Sequence, residues 1–150
     1  MTTLRTTLQL TKHHGLGNDF LVVFHPGIDD DAELAAIARR LCDRRRGIGA
    51  DGLLIGESAP GAAARMILFN ADGSRAEMSG NGIRCFAQAL ADRRGDNSPQ
   101  RIMTDAGERV VTIEPTDDPD TILASVEMGA VEPIAAPDGW DALGCHPDRP

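Results

Sequence analysis

The chain has 150 residues, of which 41% are hydrophobic and 25% charged, a composition that fits one ordinary domain able to form its core without metals or disulfides. Acidic residues outnumber basic ones 23 to 15, for a net charge of −8, and Phe20, Phe24, Phe69, Phe86 and Trp140 are the only aromatic side chains, which argues against nucleic acid and anionic membrane as partners. No stretch nears the ~18 apolar residues of a spanning helix and the N-terminus lacks a signal-peptide core, so a cytoplasmic location is expected.

In chain order, TLQLT predicts a strand ending at Thr11, then a glycine-hinged loop and a second strand over Phe20 to Phe24, because β-branched and aromatic residues flank Gly15 and Gly17. Asp29 to Asp31 can cap a helix in which Leu34, Ile37, Ala38 and Leu41 recur at helical spacing, while Arg44 to Arg46 and Gly47 supply a basic end and a stop. LLIGE reads as a short strand, SAPGAAA as a turn and RMILFN as a strand ending at Asn70. The run NADGSRAEMSGNG forms a long polar connection. From Gly82, the residues Ile83, Phe86, Ala87 and Leu90 restore a helical stripe that stops near Gly95. RIMT, RVVTIE and TILASVEM are strand-like, separated by DAGE and PTDDPD. Beyond Val131 the chain is proline-rich, so the expected division is a domain over 1–133 and a tail, or the start of an interdomain linker, over 134–150. Two helices and about seven short strands favour an α+β fold with a mixed or antiparallel sheet over a regular βαβ series.

The stretch with most chemical content is SGNG, where Ser79, Gly80, Asn81 and Gly82 lie just ahead of the second helix. Glycines allow close backbone approach, and the unpaired N–H groups of a first helical turn suit an anion such as a carboxylate. The same letters also describe an ordinary cap, with Ser79 or Asn81 closing the helix and the glycines making the turn. Asn18 and Asn70 can each donate and accept without carrying charge, which suits a zwitterionic metabolite and equally an Asx turn. His13 and His14 need a converging carboxylate or third ligand before they imply a metal, and none is evident, so no metal site is expected. Arg44 to Arg46 read as a charged helix end. Cys42 falls beside the apolar stripe of the first helix, and Cys42, Cys85 and Cys145 are odd in number and widely spaced, so no disulfide framework is expected. Lys12, the single lysine, is the one place a pyridoxal Schiff base could form, and GIGADG matches neither a P-loop nor a GxGxxG turn, so no cofactor is expected.

Taken together, KHHGLGNDF, RRRGIGADGLL, FNADGSRAEMSGNGIRCFA and EMGAVEP resemble, in this order, the amino-terminal half of the diaminopimelate epimerase family over most of residues 8 to 133. The resemblance implies a cofactor-independent enzyme of lysine biosynthesis that interconverts LL- and meso-diaminopimelate. It further implies two similar α+β domains, each a mixed sheet wrapped around a central helix, with the substrate in the cleft between them. Asn18 and Asn70 then match substrate-binding positions, and Gly80 and Asn81 the cradle of the substrate carboxylate. Gly52 stands where the family usually has glutamine. Ser79 stands where the family has its catalytic cysteine.

Epimerisation without a cofactor needs one group to take the Cα proton and another to return a proton on the opposite face. A thiol at a helix N-terminus can ionise near neutrality, whereas a serine hydroxyl has no comparable anion population. Cys85 does not replace it, since six helical residues from Ser79 amount to a rise of about 9 Å and a turn of about 240°. The resemblance also implies a second, opposite-face cysteine, and Cys145 lacks the glycine-rich helix start such a residue requires. The isolated chain is therefore expected to be inactive or nearly so, with diaminopimelate as substrate and a second epimerase domain or a homodimer partner completing the site. Two other readings remain. One is a different isomerase or dehydratase of the same fold, similar to proline racemases, hydroxyproline dehydratases or phenazine-pathway isomerases, and the other is a non-catalytic binding module.

Overall fold

The computed structural model describes residues 7–130; the proline-rich tail and Cys145 lie outside that range. Leu16 and Gly17 take φ values of 56° and 86°, the left-handed pair of a two-residue hairpin turn. Strand β1 (Leu10–Gly15) therefore joins β2 (Asn18–Phe24) directly, with Gly15 opposite Asn18 and His14 opposite Asp19. The loop expected here is thus a tight turn, and Asn18 opens a strand. KHHG continues β1 because a hairpin of this type needs its left-handed residues at only two positions.

Helix α1 (Asp31–Cys42) begins at the Asp30 cap, whose carboxylate accepts from Ala32 N–H at 3.1 Å. It leads to β3 (Gly52–Glu57), β4 (Ala64–Asn70) and the short β5 (Arg75–Ala76). Helix α2 (Gly80–Arg94) starts two residues earlier than its apolar stripe suggests, because Ser79 and not Asn81 is the cap, with Oγ accepting from Gly82 N–H at 3.0 Å. Gly95 closes it in the left-handed conformation. Strands β6 (Gln100–Thr104), β7 (Gly107–Pro115) and β8 (Ile122–Val126) follow. The sheet has eight strands, one more than the sequence suggests, since β5 spans only two residues and leaves no periodic pattern.

The strand order is β1-β2-β3-β4-β6-β7-β8, with β5 attached to β4. The β2–β3 and β4–β6 pairs are parallel and the others antiparallel, so the fold is α+β with a mixed sheet. Strands β2, β3 and β4 are covered on both faces and read as nearly continuous apolar runs. Phe20, Val22, Leu54, Met66 and Leu68 pack with Ile83, Phe86 and Leu90 of α2, while Leu21, Val23, Leu53, Ile55 and Phe69 pack with Leu34, Ala38 and Cys42 of α1. Strands β7 and β8 have one covered face and alternate, with Val111, Ile113, Ala124 and Val126 turned to α2.

The sheet curls until its two ends, β1 and β8, both reach α2. Gln88 spans the gap between them: its carbonyl accepts from His13 Nδ1 at 3.2 Å and its amide donates to the Asp120 carbonyl at 3.2 Å. Helix α2 is therefore the axis around which the sheet is wound. Among the described residues no helix is long and apolar enough to cross a membrane.

Between β2 and α2, Phe24 packs on Phe86 with ring centres 5.3 Å apart and planes tilted by 45°. The Phe24 ring occupies the space a Cβ on Gly56 would fill. Gly56→Ala should therefore unseat that ring and lower stability by about 1–3 kcal/mol, the usual cost of overpacking a core. Urea denaturation checks this, with an unchanged midpoint counting against the packing described.

Candidate functional site

The β1–β2 turn, the start of β3, the end of β4 and the N-terminus of α2 meet at one end of the sheet. Asp51 N–H donates to the Asp19 carbonyl at 2.8 Å and Ala71 N–H to the Asp51 carbonyl at 3.0 Å, which ties three strand ends together. Gly15 lies directly under Asn81, since a Cβ on Gly15 would sit 3.5 Å from the asparagine side chain.

Asn18 and Asn81 come from segments far apart in sequence and touch here. Asn81 Nδ2 donates to Asn18 Oδ1 at 3.3 Å. Asn18 Nδ2 donates to Asp51 Oδ2 at 2.6 Å, and Arg84 Nη2 donates to Asn81 Oδ1. Behind Asp51, Arg44 reaches Asp51 Oδ1 at 2.9 Å and Asp19 Oδ1 at 2.6 Å, and Lys12 reaches Asp19 Oδ2 at 3.1 Å. The hydrogen-bonded Arg44 guanidinium, aided by Lys12, holds the Asp19 carboxyl well below the usual carboxylate range despite its partial burial. Lys12 and Arg44 pair with Asp19 and Asp51, and Arg84 adds a cation on the far side of Asn81, so three cations stand with two carboxylates at this end of a chain that is acidic as a whole.

At the α2 tip, helical geometry leaves the N–H groups of Gly80 and Asn81 without an acceptor, while Ser79 Oγ takes that of Gly82. Gly80 faces open space. Ser79 is half-buried, and its hydroxyl oxygen serves as the cap. Asn70 lies at the same end of the sheet, opposite Gly52 on β3, but its amide is turned to Ser74 Oγ at 2.9 Å and forms no hydrogen bond with Asn18 or Asn81. The structure thus gathers Asn18, Ser79, Gly80 and Asn81, with Asn70 as a separately held neighbour.

Cavities of about 510 and 920 Å³ lie beside β1, the first toward the end of α2 and the second against β8. Gly15, Leu16 and Arg84 line the second, but neither is lined by Ser79, Gly80, Asn81, Asn18 or Asn70, so the tip is a shelf beside the larger cavity. Burial pushes the thiols of Cys42 and Cys85 up to about 11, which makes both poor bases. His13 lies between Thr11 Oγ1 and Gln88 Oε1, His14 is exposed, and among the described residues no group of three His, Cys, Asp or Glu is placed to hold a metal. Gly52 is packed so closely that a Cβ there would lie 2.8 Å from the Phe69 carbonyl oxygen.

Sequence reasoning missed Asp51, Arg84 and the bridging role of Arg44, which it took as part of a charged helix end. A signal was present. GADG and GNGIRC each set one charged residue next to the glycines and asparagines singled out, and a neutral amide at such a shelf needs a charged partner to fix its orientation.

A family model described as Diaminopimelate epimerase matches residues 10–134. The chain is 43% identical over 124 residues to the diaminopimelate epimerase of Desulforudis audaxviator, covering 81% of this chain and 44% of that protein. It is 37% identical over 143 residues to that of Methanocella arvoryzae, covering 94% of this chain and 50% of that protein. The chain thus spans about half the length of these curated relatives. Among solved structures it is similar in fold to a hydroxyproline epimerase from Agrobacterium vitis with bound trans-4-hydroxy-L-proline, with a TM-score of 0.61 and 17% identity over 77% of this chain and 40% of that one.

Because its carboxyl is held below the range it has in the unfolded chain, Asp19 adds stability above about pH 4 that is lost as the pH falls toward its folded value. Asp19→Asn should cost about 1–2 kcal/mol at pH 7, and the gap from the parent should narrow steadily as the pH falls below about 4. Urea melts at a series of pH values from about 7 down to about 2 test this; a gap that does not narrow below about pH 4 would contradict the ion-pair account.

Proposed function

The chain belongs to the diaminopimelate epimerase family, and from that premise we propose that it supplies the amino-terminal half of a cofactor-independent amino-acid epimerase acting on diaminopimelate. In this reading residues 1–133 are the epimerase domain and 134–150 lead to a second half, or to a partner copy, that closes the cleft. The free N–H groups of Gly80 and Asn81 take the α-carboxylate, Asn18 and Asn70 contact the rest of the polar substrate, and Ser79 holds the acid/base position. The observation that carries the reading is the α2 tip, opened by Gly80 and held against Asn18 by a continuous set of hydrogen bonds.

The chemistry follows from where charge develops. Removing the Cα proton leaves negative charge spread into the carboxylate, where first-turn N–H groups and the positive end of the α2 dipole stabilise it. Ser79 is half-buried and its hydroxyl oxygen already accepts from Gly82 N–H, which lowers its capacity to accept a substrate proton. It retains its own O–H to give. Ser79 is therefore suited to deliver a proton and poorly suited to remove one. The same observation favours a second reading, in which the shelf binds its ligand without turnover.

In heavy water the purified chain should incorporate no deuterium at Cα of diaminopimelate, and robust exchange would refute the reading of Ser79. Calorimetry separates the two readings of the isolated chain, since binding without exchange favours the module. Ser79→Cys should add one thiol that titrates below about 8.5 relative to the parent protein, because the helix N-terminus favours the thiolate. Alkylation rate against pH measures it, and an introduced thiol no more acidic than a free one would remove the basis for an acid/base group at this position. Joined to a relative's second half, Ser79→Cys should restore exchange on diaminopimelate but not on hydroxyproline run alongside it.

A further inference from the structure

The side chains at the α2 tip form one directed series of hydrogen bonds with a different chemical type at each end. Asp51 is a carboxylate and can only accept, whereas Arg84 is a guanidinium and can only donate. Between them stand two amides, each of which could adopt either flip. Asp51 Oδ2 takes Asn18 Nδ2 at 2.6 Å, which turns Asn18 Oδ1 toward Asn81. That oxygen takes Asn81 Nδ2 at 3.3 Å, which turns Asn81 Oδ1 toward the Arg84 guanidinium. Flipping either amide alone would bring oxygen against oxygen or nitrogen against nitrogen on both of its sides. Flipping both would set carboxylate against carbonyl and guanidinium against amide nitrogen.

Both ends are themselves anchored. Arg44 holds the other oxygen of Asp51 at 2.9 Å, and Arg84 Nε donates to the Gly80 carbonyl at 3.1 Å, one turn back on its own helix. We infer that Asp51 and Arg84 are positioning residues that pin the series at its two ends, so that Asn18 and Asn81 each keep one unused amide N–H beside the free backbone N–H groups of the tip. The shelf then offers an array of donors, which selects a carboxylate and disfavours an ammonium group. This rests on the proposed reading of the tip as the seat of the substrate α-carboxylate. It also assigns work to two charged residues that need not touch the substrate.

The test is side-chain amide hydrogen exchange measured by NMR on the 150-residue protein, with backbone amides as the control for folding. Arg84→Met keeps the length of the side chain and removes the donor, and it should speed exchange of the Asn81 and Asn18 side-chain amides by about tenfold, the loss of one charge-assisted hydrogen bond. Arg84→Lys keeps a pure donor and should retain the parent pattern. Should Arg84→Met fail to fold, Arg84→Gln replaces the donor-only end with an ambiguous amide and should also speed exchange. The response of Asn18 is the decisive readout, because Arg84 does not touch it. Parent-like exchange in a folded Arg84→Met or Arg84→Gln protein would overturn the inference, as would Arg84→Lys behaving like Arg84→Met. Titration with meso-diaminopimelate is scored separately. A parent protein that binds none while keeping protected amides would count against the functional reading and leave the positioning intact, whereas undiminished binding by Arg84→Met would overturn the positioning.

Discussion

A helix wrapped by its own sheet still opens on N–H groups that have no acceptor within it, and that constraint organises the molecule. Ile83, Phe86, Ala87 and Leu90 remove most of α2 from water by packing against strands on several sides, yet the leading N–H groups of any helix need partners that the helix cannot supply. The sheet meets this by letting the tip emerge where β2 and β3 begin and β4 ends. One N–H is satisfied by the Ser79 hydroxyl, and those of Gly80 and Asn81 stay open on the shelf. The place where a ligand can be held is thus a by-product of how the core is closed.

The charges at that end answer a second constraint. Three strand ends converge there with two carboxylates, and Asp19 and Asp51 would repel one another without the guanidinium that bridges them. Arg44 is largely exposed, so its pairing contributes less through Coulomb energy than through geometry: it fixes the Asp51 carboxylate that in turn orients Asn18. On the proposed reading, a chain with excess acidic charge elsewhere thereby keeps its shelf hospitable to a carboxylate.

Periodic features were legible in the sequence and singular ones were not. Both helices and the core position of Cys42 follow from a repeating pattern, because burial of one face imposes a period on the letters, while the strands buried on both faces show as unbroken apolar runs. The Leu16–Gly17 turn was hidden, since the sequence offers two glycines and the turn uses only Gly17, forcing Leu16 into a left-handed conformation. The strand β5 was hidden because two residues carry no period. At the site, Ser79, Gly80, Asn81 and Asn18 stood out as small or neutral polar residues around glycine, and they do gather. Their anchors Asp51 and Arg84 did not stand out, because a charged residue reads as surface until its partner from another segment is known. Asn70 reaches the same end of the sheet, but its amide donates to Ser74, whose hydroxyl donates in turn to Asp72, a local pairing that its place at a strand end did not reveal.

Position 79 carries two duties that pull in different directions. As an N-cap, serine is among the best residues, accepting from the helix at a benefit of about 1 kcal/mol over a residue that cannot. A thiol accepts such a bond weakly but ionises readily beside a helix N-terminus. The observed Ser79 Oγ to Gly82 bond therefore marks a chain that has taken the stabler cap at the position where the family resemblance puts its reactive group. The other contacts of the tip do not pass through the Ser79 side chain: Gly80 is open, Asn81 meets Asn18, and Arg84 holds Asn81. On the proposed reading, recognition of a carboxylate and transfer of a proton are separable, since the first would depend on donors fixed by the fold and the second on the single side chain at position 79.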